Sequence, residues 1–266
     1  MADIRLLAID LDDTLVREDN TISDYTRRIL KEAEAKGIYI VIATGRMYQT
    51  ARPVGLAMDI GDLPMILFSG GLVQRIESGE KLFEQTVDVS VANEILQLAK
   101  TNDWYVQSYI DDELLVHHET EESRMYEKGV GAKPVYIGDA VYTAPKGPNK
   151  LLFIAESQKI LHIEASLNKD FADKVEIVRS KPNFLEINSM NCTKGSTLAH
   201  MVEELGLKPE QVVAFGNSQN DISMLKYAGT AVAVANADDN VKAVAHEICP
   251  SNEEDGVAHW LEEHIL

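Results

Sequence analysis

Ile4-Arg5-Leu6-Leu7-Ala8-Ile9-Asp10-Leu11-Asp12-Asp13-Thr14-Leu15 is the stretch that decides how the rest of the chain is read. Its first half, Ile4 to Ile9, is a short, largely aliphatic run with the length of a buried strand. The run passes directly into three carboxylates and a hydroxyl, so these polar groups are expected at the carboxyl end of a central strand. Open α/β sheets bind their ligands at that end. A polar turn that only caps a helix would use the same residue types, and the choice between the two depends on what the rest of the chain supplies.

Outward from that strand, a helical pattern over Ser23 to Lys36 carries apolar Ile29, Leu30 and Ala33, with Ser23 or Asp24 as cap and Gly37 as stop. Strands follow at Ile38 to Ala43 and Met65 to Phe68. Strands alternating with helices indicate parallel pairing with crossover helices, an α/β fold. The last third resumes the rhythm: a helix over Lys194 to Leu205 closed by Gly206, a strand at Val212 to Phe215, a helix over Asn220 to Ala228 closed by Gly229, and a strand at Ala231 to Val234.

Between these ends the grammar changes. A helix at Val91 to Lys100 precedes a hairpin, Trp104 to Ile110 and Leu114 to His118, turning at Asp111 and Asp112. A second helix, Gln158 to Asn168, precedes the pair Val175 to Arg179 and Phe184 to Ile187. Helix-strand-strand thus occurs twice, which suggests an inserted α+β domain with an open sheet. The expected division is a core of residues 1–82 and 190–266 interrupted by an insert of residues 83–189.

Composition narrows the function. The chain has 266 residues, 45% of them hydrophobic, enough for a packed core. Its formal net charge is -18, a surface that repels nucleic acid and anionic membranes. No nucleic-acid or membrane partner is therefore expected, protein partners are left open, and a phosphorylated ligand would need cations built into its site. Cys192 and Cys249 are too few for a disulfide framework, and no leader or long apolar run is visible, so a reducing cytoplasm is the expected location.

Four segments supply chemistry. A carboxylate attacks phosphorus usefully because the acyl phosphate it forms is reactive enough for water to resolve, and Asp10 can take that part. The leaving alcohol needs a proton, and Asp12 is the candidate donor if its pKa rises far above the usual ~3.9. Ala43-Thr44-Gly45-Arg46 places a hydroxyl, a close-approaching glycine and an arginine before a helix start, a suitable cradle for phosphate. Lys194, in Thr193-Lys194-Gly195, offers fixed positive charge to a transferring phosphoryl group. Val213-Ala214-Phe215-Gly216-Asn217-Ser218-Gln219-Asn220-Asp221 leaves a buried strand and sets polar groups before a helix. Mg2+ keeps several waters and takes only one or two protein carboxylates, so a cluster of this size suffices.

With DLDDTL at 10–15, ATGR at 43–46, TKG at 193–195 and FGNSQNDISML at 215–225 in that order, the chain resembles the haloacid-dehalogenase-like superfamily, specifically its Cof-type phosphatases. The resemblance implies a Rossmann-like core with an α+β cap, and hydrolysis of sugar phosphates or related small phosphorylated metabolites with Mg2+. It implies Asp10 as nucleophile and metal ligand, and Asp12 as acid/base whose backbone carbonyl also ligates the metal. Thr44 and Lys194 are then phosphate binders, with Gly45 and Arg46 beside them. Asn217, Asn220 and Asp221 occupy the positions that ligate the metal, contact the phosphate, and support the lysine and the metal shell, so Asn217 and Asp221 join the metal set. The family's first acidic residue of that motif is here Asn217, which removes one negative charge. Asp13 stands where many relatives have glycine, and Ser69-Gly70-Gly71 where Asn-Gly-Ala is frequent.

A receiver domain uses similar residues but is shorter and lacks a proton donor two positions after its aspartate. A phosphate-binding sensor with weak catalysis, and a phosphomutase or phosphotransferase, remain the alternatives. In the insert, Tyr109, Tyr142, Lys146 and Lys150 are possible contacts, although a strand tyrosine or a solvated lysine is the preferred reading of each. His117 and His118 are expected on opposite faces of a strand.

Overall fold

The computed structural model describes residues 3–266, and the chain divides into two compact units, one running to Phe83 and resuming at Thr193–Leu266, the other Glu84–Cys192. In chain order the first unit begins with β1 (Leu6–Asp10), α1 (Asp24–Ala35), β2 (Tyr39–Ala43), α2 (Tyr48–Ala57), β3 (Pro64–Leu67), β4 (Leu72–Arg75) and β5 (Lys81–Glu84). The second contains α3 (Val89–Thr101), β6 (Val106–Ile110), β7 (Glu113–Val116), α4 (Glu121–Val130), β8 (Pro134–Tyr136), β9 (Lys150–Ile154), α5 (Ser157–Phe171), β10 (Val175–Lys181) and β11 (Phe184–Ser189). The first unit resumes with α6 (Lys194–Glu204), β12 (Val212–Gly216), α7 (Ile222–Tyr227), β13 (Thr230–Val234), α8 (Asp239–Lys242), β14 (Glu247–Cys249) and α9 (Gly256–His264).

The core sheet has the order β14-β13-β12-β1-β2-β3-β4-β5, parallel from β14 to β3 and antiparallel between β3 and β4. All five residues of β1 are buried, as a strand covered on both faces must be. From β1 the chain steps outward to β2 and β3; after the insert it restarts on the other side, at β12, and steps outward again. The sheet therefore switches winding direction between β1 and β12, the place where a doubly wound sheet opens a crevice at its carboxyl edge. Local chemistry places the ends of these elements. Ser23 caps α1 by accepting the Thr26 amide at 2.9 Å, and Gly37 leaves the helix at φ +82°, a left-handed turn that a side chain disfavours.

The second unit holds a sheet of order β10-β11-β9-β6-β7-β8. Both expected helix-strand-strand units are present, α3-β6-β7 and α5-β10-β11, with β9 inserted between their strands. Val106, Leu151, Phe153, Leu185 and Ile187 face a core shared with Ile95 and Leu96 of α3 and Ile160, Ile163 and Leu167 of α5. Strand alternation sends Gln107, Tyr109, Lys150 and Glu186 to the other face. There the Tyr109 hydroxyl donates to Gln107 Oε1 at 3.0 Å and shares a hydrogen bond with the Tyr126 hydroxyl at 2.8 Å, and burial pushes its phenol well above the ordinary range. Lys150 is buried 3.5 Å from Glu186, so the solvated-lysine reading fails for it, whereas Lys146 pairs with exposed Asp111 and Tyr142 lies beside His117.

The two histidines correct a second expectation. β7 ends at Val116, so the period-2 rule no longer governs His117 and His118; their rings meet Nδ1 to Nδ1, and His117 Nε2 lies 2.8 Å from Asp139. Cys192 and Cys249 are both buried. Among the described residues no helix is long and apolar enough to cross a membrane.

Candidate active site

β1 delivers Asp10 to the switch point with 4% exposure. Lys194, the first residue of α6, brings its ammonium 2.5 Å from Asp10 Oδ1 and 2.6 Å from Asp221 Oδ1. None of the three is more than a few per cent exposed. Close helix approach makes this reach possible: a Cβ on Gly195 would come 2.4 Å from the backbone of Ser223 at the start of α7, and one on Gly216 would come 2.5 Å from Asp221 Cβ. Thr193 caps α6 by accepting the Ser196 amide at 3.1 Å, with Ser196 returning to the Thr193 amide at 2.9 Å.

Asp221 is held on both oxygens. Oδ1 takes the ammonium, and Oδ2 accepts the amides of Asn217 and Ser218, each at 2.9 Å. Both Asp221 oxygens therefore already have donors, one of them the Lys194 ammonium. Asn217 presents the opposite case. Its Oδ1 is buried and has no hydrogen-bond partner, an orphaned acceptor that ordinarily costs about 1–3 kcal/mol. It lines a cleft of about 390 Å³ shared with Asp13 and Asp238. A larger hollow, about 710 Å³, lies along α1 beside Arg27 and Lys31 and contains none of the expected site residues.

Two buried carboxylates share one buried ammonium, so the cluster carries an excess negative charge. Burial, then the neighbouring Asp221 charge, pushes the Asp10 carboxyl up from 3.8 to about 7, although Lys194 pulls the other way. Burial alone would lower the Lys194 ammonium, but the two carboxylates outweigh it and hold the group well above its ordinary range. A cation bound at Asp10 would relieve the excess. Among the described residues no group of three His, Cys, Asp or Glu side chains is arranged to hold a metal unaided.

The turn after β1 bends at Asp13, whose φ of +55° is a left-handed value that aspartate tolerates better than most residues. It sends Asp12 toward Arg46. Arg46 Nε lies 3.0 Å from both Asp12 oxygens, and Nη2 reaches Asp12 Oδ1 and Asn20 Oδ1. Arg46 was expected on the phosphate; here its fork is matched by the nearest carboxylate, which suits a planar guanidinium better than a single charge would. The Asp12 side chain is 46% exposed, open to an incoming ligand on the side away from Arg46. Thr44, fully buried at the end of β2, accepts the Arg46 amide at 3.1 Å and lies 3.4 Å from Asp12 Oδ2.

The elements carrying Asp10, Thr44, Lys194, Asn217, Asn220 and Asp221 thus end at one edge of the sheet, as the motif order anticipated. The Arg46–Asp12 fork was not anticipated, because an arginine two residues after Thr44 carries no sequence mark of what it will face.

A family model for haloacid dehalogenase-like hydrolases matches residues 7–261. The chain belongs to the haloacid dehalogenase-like hydrolases. This hydrolase is 32% identical over 266 aligned residues to the 5-amino-6-(5-phospho-D-ribitylamino)uracil phosphatase YcsE of Bacillus subtilis (strain 168), covering 97% of this chain and 96% of that one. It is 25% identical to the HMP-PP phosphatase of Serratia proteamaculans (strain 568), over 97% and 94% of the two chains. Its fold matches the crystal structure of TM0651 from Thermotoga maritima with a TM-score of 0.89 at 30% identity, over 99% and 98% of the chains. In enzymatic class the hydrolase is a phosphatase.

Proposed function

We infer that this phosphatase hydrolyses small phosphorylated metabolites, sugar phosphates foremost, through a phosphoryl group carried covalently on Asp10 and with bound Mg2+. The observation that carries the reading is the buried Asp10–Lys194–Asp221 cluster at the switch point of the sheet. A carboxylate so placed is useless as a surface charge and costly as a structural one, but it is well suited to in-line attack beside a fixed ammonium. The substrate named for the Bacillus relative carries a 5-phospho-D-ribityl group, which supports a small organic phosphate as the ligand class.

In this reading an Asp10 oxygen bonds to phosphorus as the bond to the leaving oxygen breaks. Lys194 and the Thr44 hydroxyl stabilise the equatorial oxygens, and Asn220 donates to the same group. Asp12 gives the leaving alcohol its proton, then takes a proton from the water that attacks the acyl phosphate and releases inorganic phosphate. In the resting arrangement Arg46 forks Asp12, and the incoming phosphate dianion is a second partner able to draw the guanidinium off it. Asp10, the Asp12 carbonyl and the orphaned Asn217 Oδ1 are the groups that would hold Mg2+, with Asp221 supporting from behind. When bound, the cation neutralises charge on the phosphoryl oxygens.

A panel of phosphorylated metabolites, with inorganic phosphate release as the readout, tests the reading. Phosphate release that is fastest on sugar phosphates and needs Mg2+ is the expected result. Binding without turnover would point instead to a sensor, and reappearance of the phosphoryl group on a second alcohol to a transferase.

Asn217 also has a measurable consequence. Restoring a carboxylate with Asn217→Asp adds a full charge at a buried oxygen that has no donor, and is expected to tighten Mg2+ binding on the order of tenfold, since ligand charge tunes affinity at such sites. Calorimetric titration of the two proteins with Mg2+ reads this directly. Equal affinities would show that Asn217 is not a ligand.

A further inference from the structure

β3 ends in a turn whose backbone is strained where no sequence rule demands it. Phe68 has φ +50°, Ser69 φ +56° and Gly70 φ +129°. A bulky aromatic residue in the left-handed region is a true outlier, and two such residues in succession persist only where the surroundings over-determine them. The Phe68 amide donates to the Arg46 carbonyl and the Ser69 amide to the Thr44 carbonyl, both at 3.0 Å. The Gly70 carbonyl accepts from Thr197 Oγ1 at 2.8 Å, and a Cβ on Gly70 would come 2.6 Å from the Thr193 backbone. The turn is therefore fastened both to the Thr44–Arg46 loop and to the start of α6.

The two amide hydrogen bonds fix the Ser69 backbone beside the Thr44–Arg46 loop. A methyl group on Gly45 would lie 3.3 Å from Ser69 Oγ and 3.8 Å from Asn220 Nδ2, so the absent side chain of Gly45 lets both polar groups close in over it. Asn220 Nδ2 is 3.5 Å from Ser69 Oγ, at the limit of hydrogen-bond reach, and directs a donor at that oxygen. The Ser69 O–H then remains to donate, and among the described residues it meets no acceptor at the site.

We propose that Ser69 is a phosphate-binding residue: its hydroxyl donates to an oxygen of the phosphoryl group held between Gly45 and Asn220. The inference rests on the reading of the Asp10 cluster as the site of phosphoryl transfer. A contact to the phosphoryl group is common to every substrate, so its loss must weaken all of them alike. A contact to the leaving group would not.

Ser69→Ala removes the hydroxyl and keeps the strained backbone; Ser69→Gly removes the hydroxyl and the strain together; Ser69→Asn restores a short donor at ease in the left-handed region. Ser69→Ala and Ser69→Gly are expected to lower kcat/KM by roughly 10- to 100-fold, the range for a hydrogen bond to a charged group. The Ki of inorganic phosphate should rise by a similar factor, with the same loss on p-nitrophenyl phosphate and on sugar phosphates, and Ser69→Asn should recover most of it. Calorimetric binding of inorganic phosphate to Asp10→Asn, with and without Ser69→Ala, repeats the comparison without turnover. An unchanged phosphate affinity, a loss confined to some leaving groups, or recovery in Ser69→Gly alone would overturn the proposal. Persistent turnover in Asp10→Asn by itself would instead remove the reading of the site on which it stands.

Discussion

Asp10→Asn is expected to cut phosphatase turnover by at least about 10⁴-fold, because on the proposed reading it replaces the carboxylate nucleophile by a non-nucleophilic amide and leaves only binding and electrostatic help behind. The same change is expected to stabilise the metal-free protein at neutral pH. The Asp10 carboxyl is pushed from 3.8 to about 7 in the fold, chiefly by burial and then by Asp221. The folded chain therefore holds this proton more tightly than the unfolded one. Between pH 4 and pH 7 the unfolded state has lost the proton and the folded state still binds it, so stability falls as pH rises through that window and levels off above it. A difference of about three pKa units corresponds to a penalty of about 4 kcal/mol at pH above 7, as an order of magnitude. A neutral amide of the same shape has no such penalty and leaves Lys194 and Asp221 as a balanced pair. Melting curves in chelator from pH 4 to pH 8 should show the variant gaining on the wild type as pH rises, and saturating Mg2+ should narrow the gap by supplying the missing countercharge. Parallel curves for the two proteins would mean that Asp10 does not carry this buried charge.

Lys194→Met is expected to damage both stability and rate. The ammonium lies 2.5 Å from Asp10 and 2.6 Å from Asp221 with no exposure of its side chain. A thioether of similar length fills the space and leaves two carboxylates facing each other across it. Removing one member of a buried ion cluster typically costs about 3–5 kcal/mol, because the remaining charge is uncompensated. One of the two carboxyls then takes up a proton, so the lost stability should return in part as pH falls. On the proposed reading the transferring phosphoryl group also loses its fixed cation, and a fall in kcat of about 10²–10³-fold is expected on the scale of other single charge-stabilising donors. Chemical denaturation across pH, alongside kcat on p-nitrophenyl phosphate, separates the two effects. The double variant Asp10→Asn with Lys194→Met should recover stability without recovering rate. If it stays as unstable as Lys194→Met, packing rather than charge holds the cluster together.

Both results depend on features that reached the chain by different routes. The parallel core was legible because periodicity and punctuation are local: β1, β2, β3, β12 and β13 are short apolar runs between polar turns, and α1 and α6 carry their own caps in Ser23 and Thr193. The inserted unit was legible as a change in that rhythm. Four short strands at or beside the sheet edges were not. β4, β5, β8 and β14 are three or four residues long, and without a continuous apolar run so short a segment has no period from which to distinguish it from a loop. The terminal helix α9 was missed for a related reason: Asp255, its preceding residue, takes a left-handed φ of +55° rather than an ordinary capping conformation.

The site divides in the same way. Asp10, Thr44, Lys194 and Asp221 were named from the sequence because each follows or opens a regular element, and the ends of parallel strands converge whatever lies between them in the chain. Sequence alone therefore determined which residue types meet at the carboxyl edge of the sheet. Tertiary structure decided how they divide their partners. It turned Arg46 onto Asp12, closed both oxygens of Asp221, left Asn217 Oδ1 without a donor, and forced Ser69 into a left-handed turn beside Gly45. Those outcomes depend on distances of an ångström or less between side chains brought in from separate strands. No pattern along the chain encodes such distances, because they are set by how the helices on the sheet pack against one another.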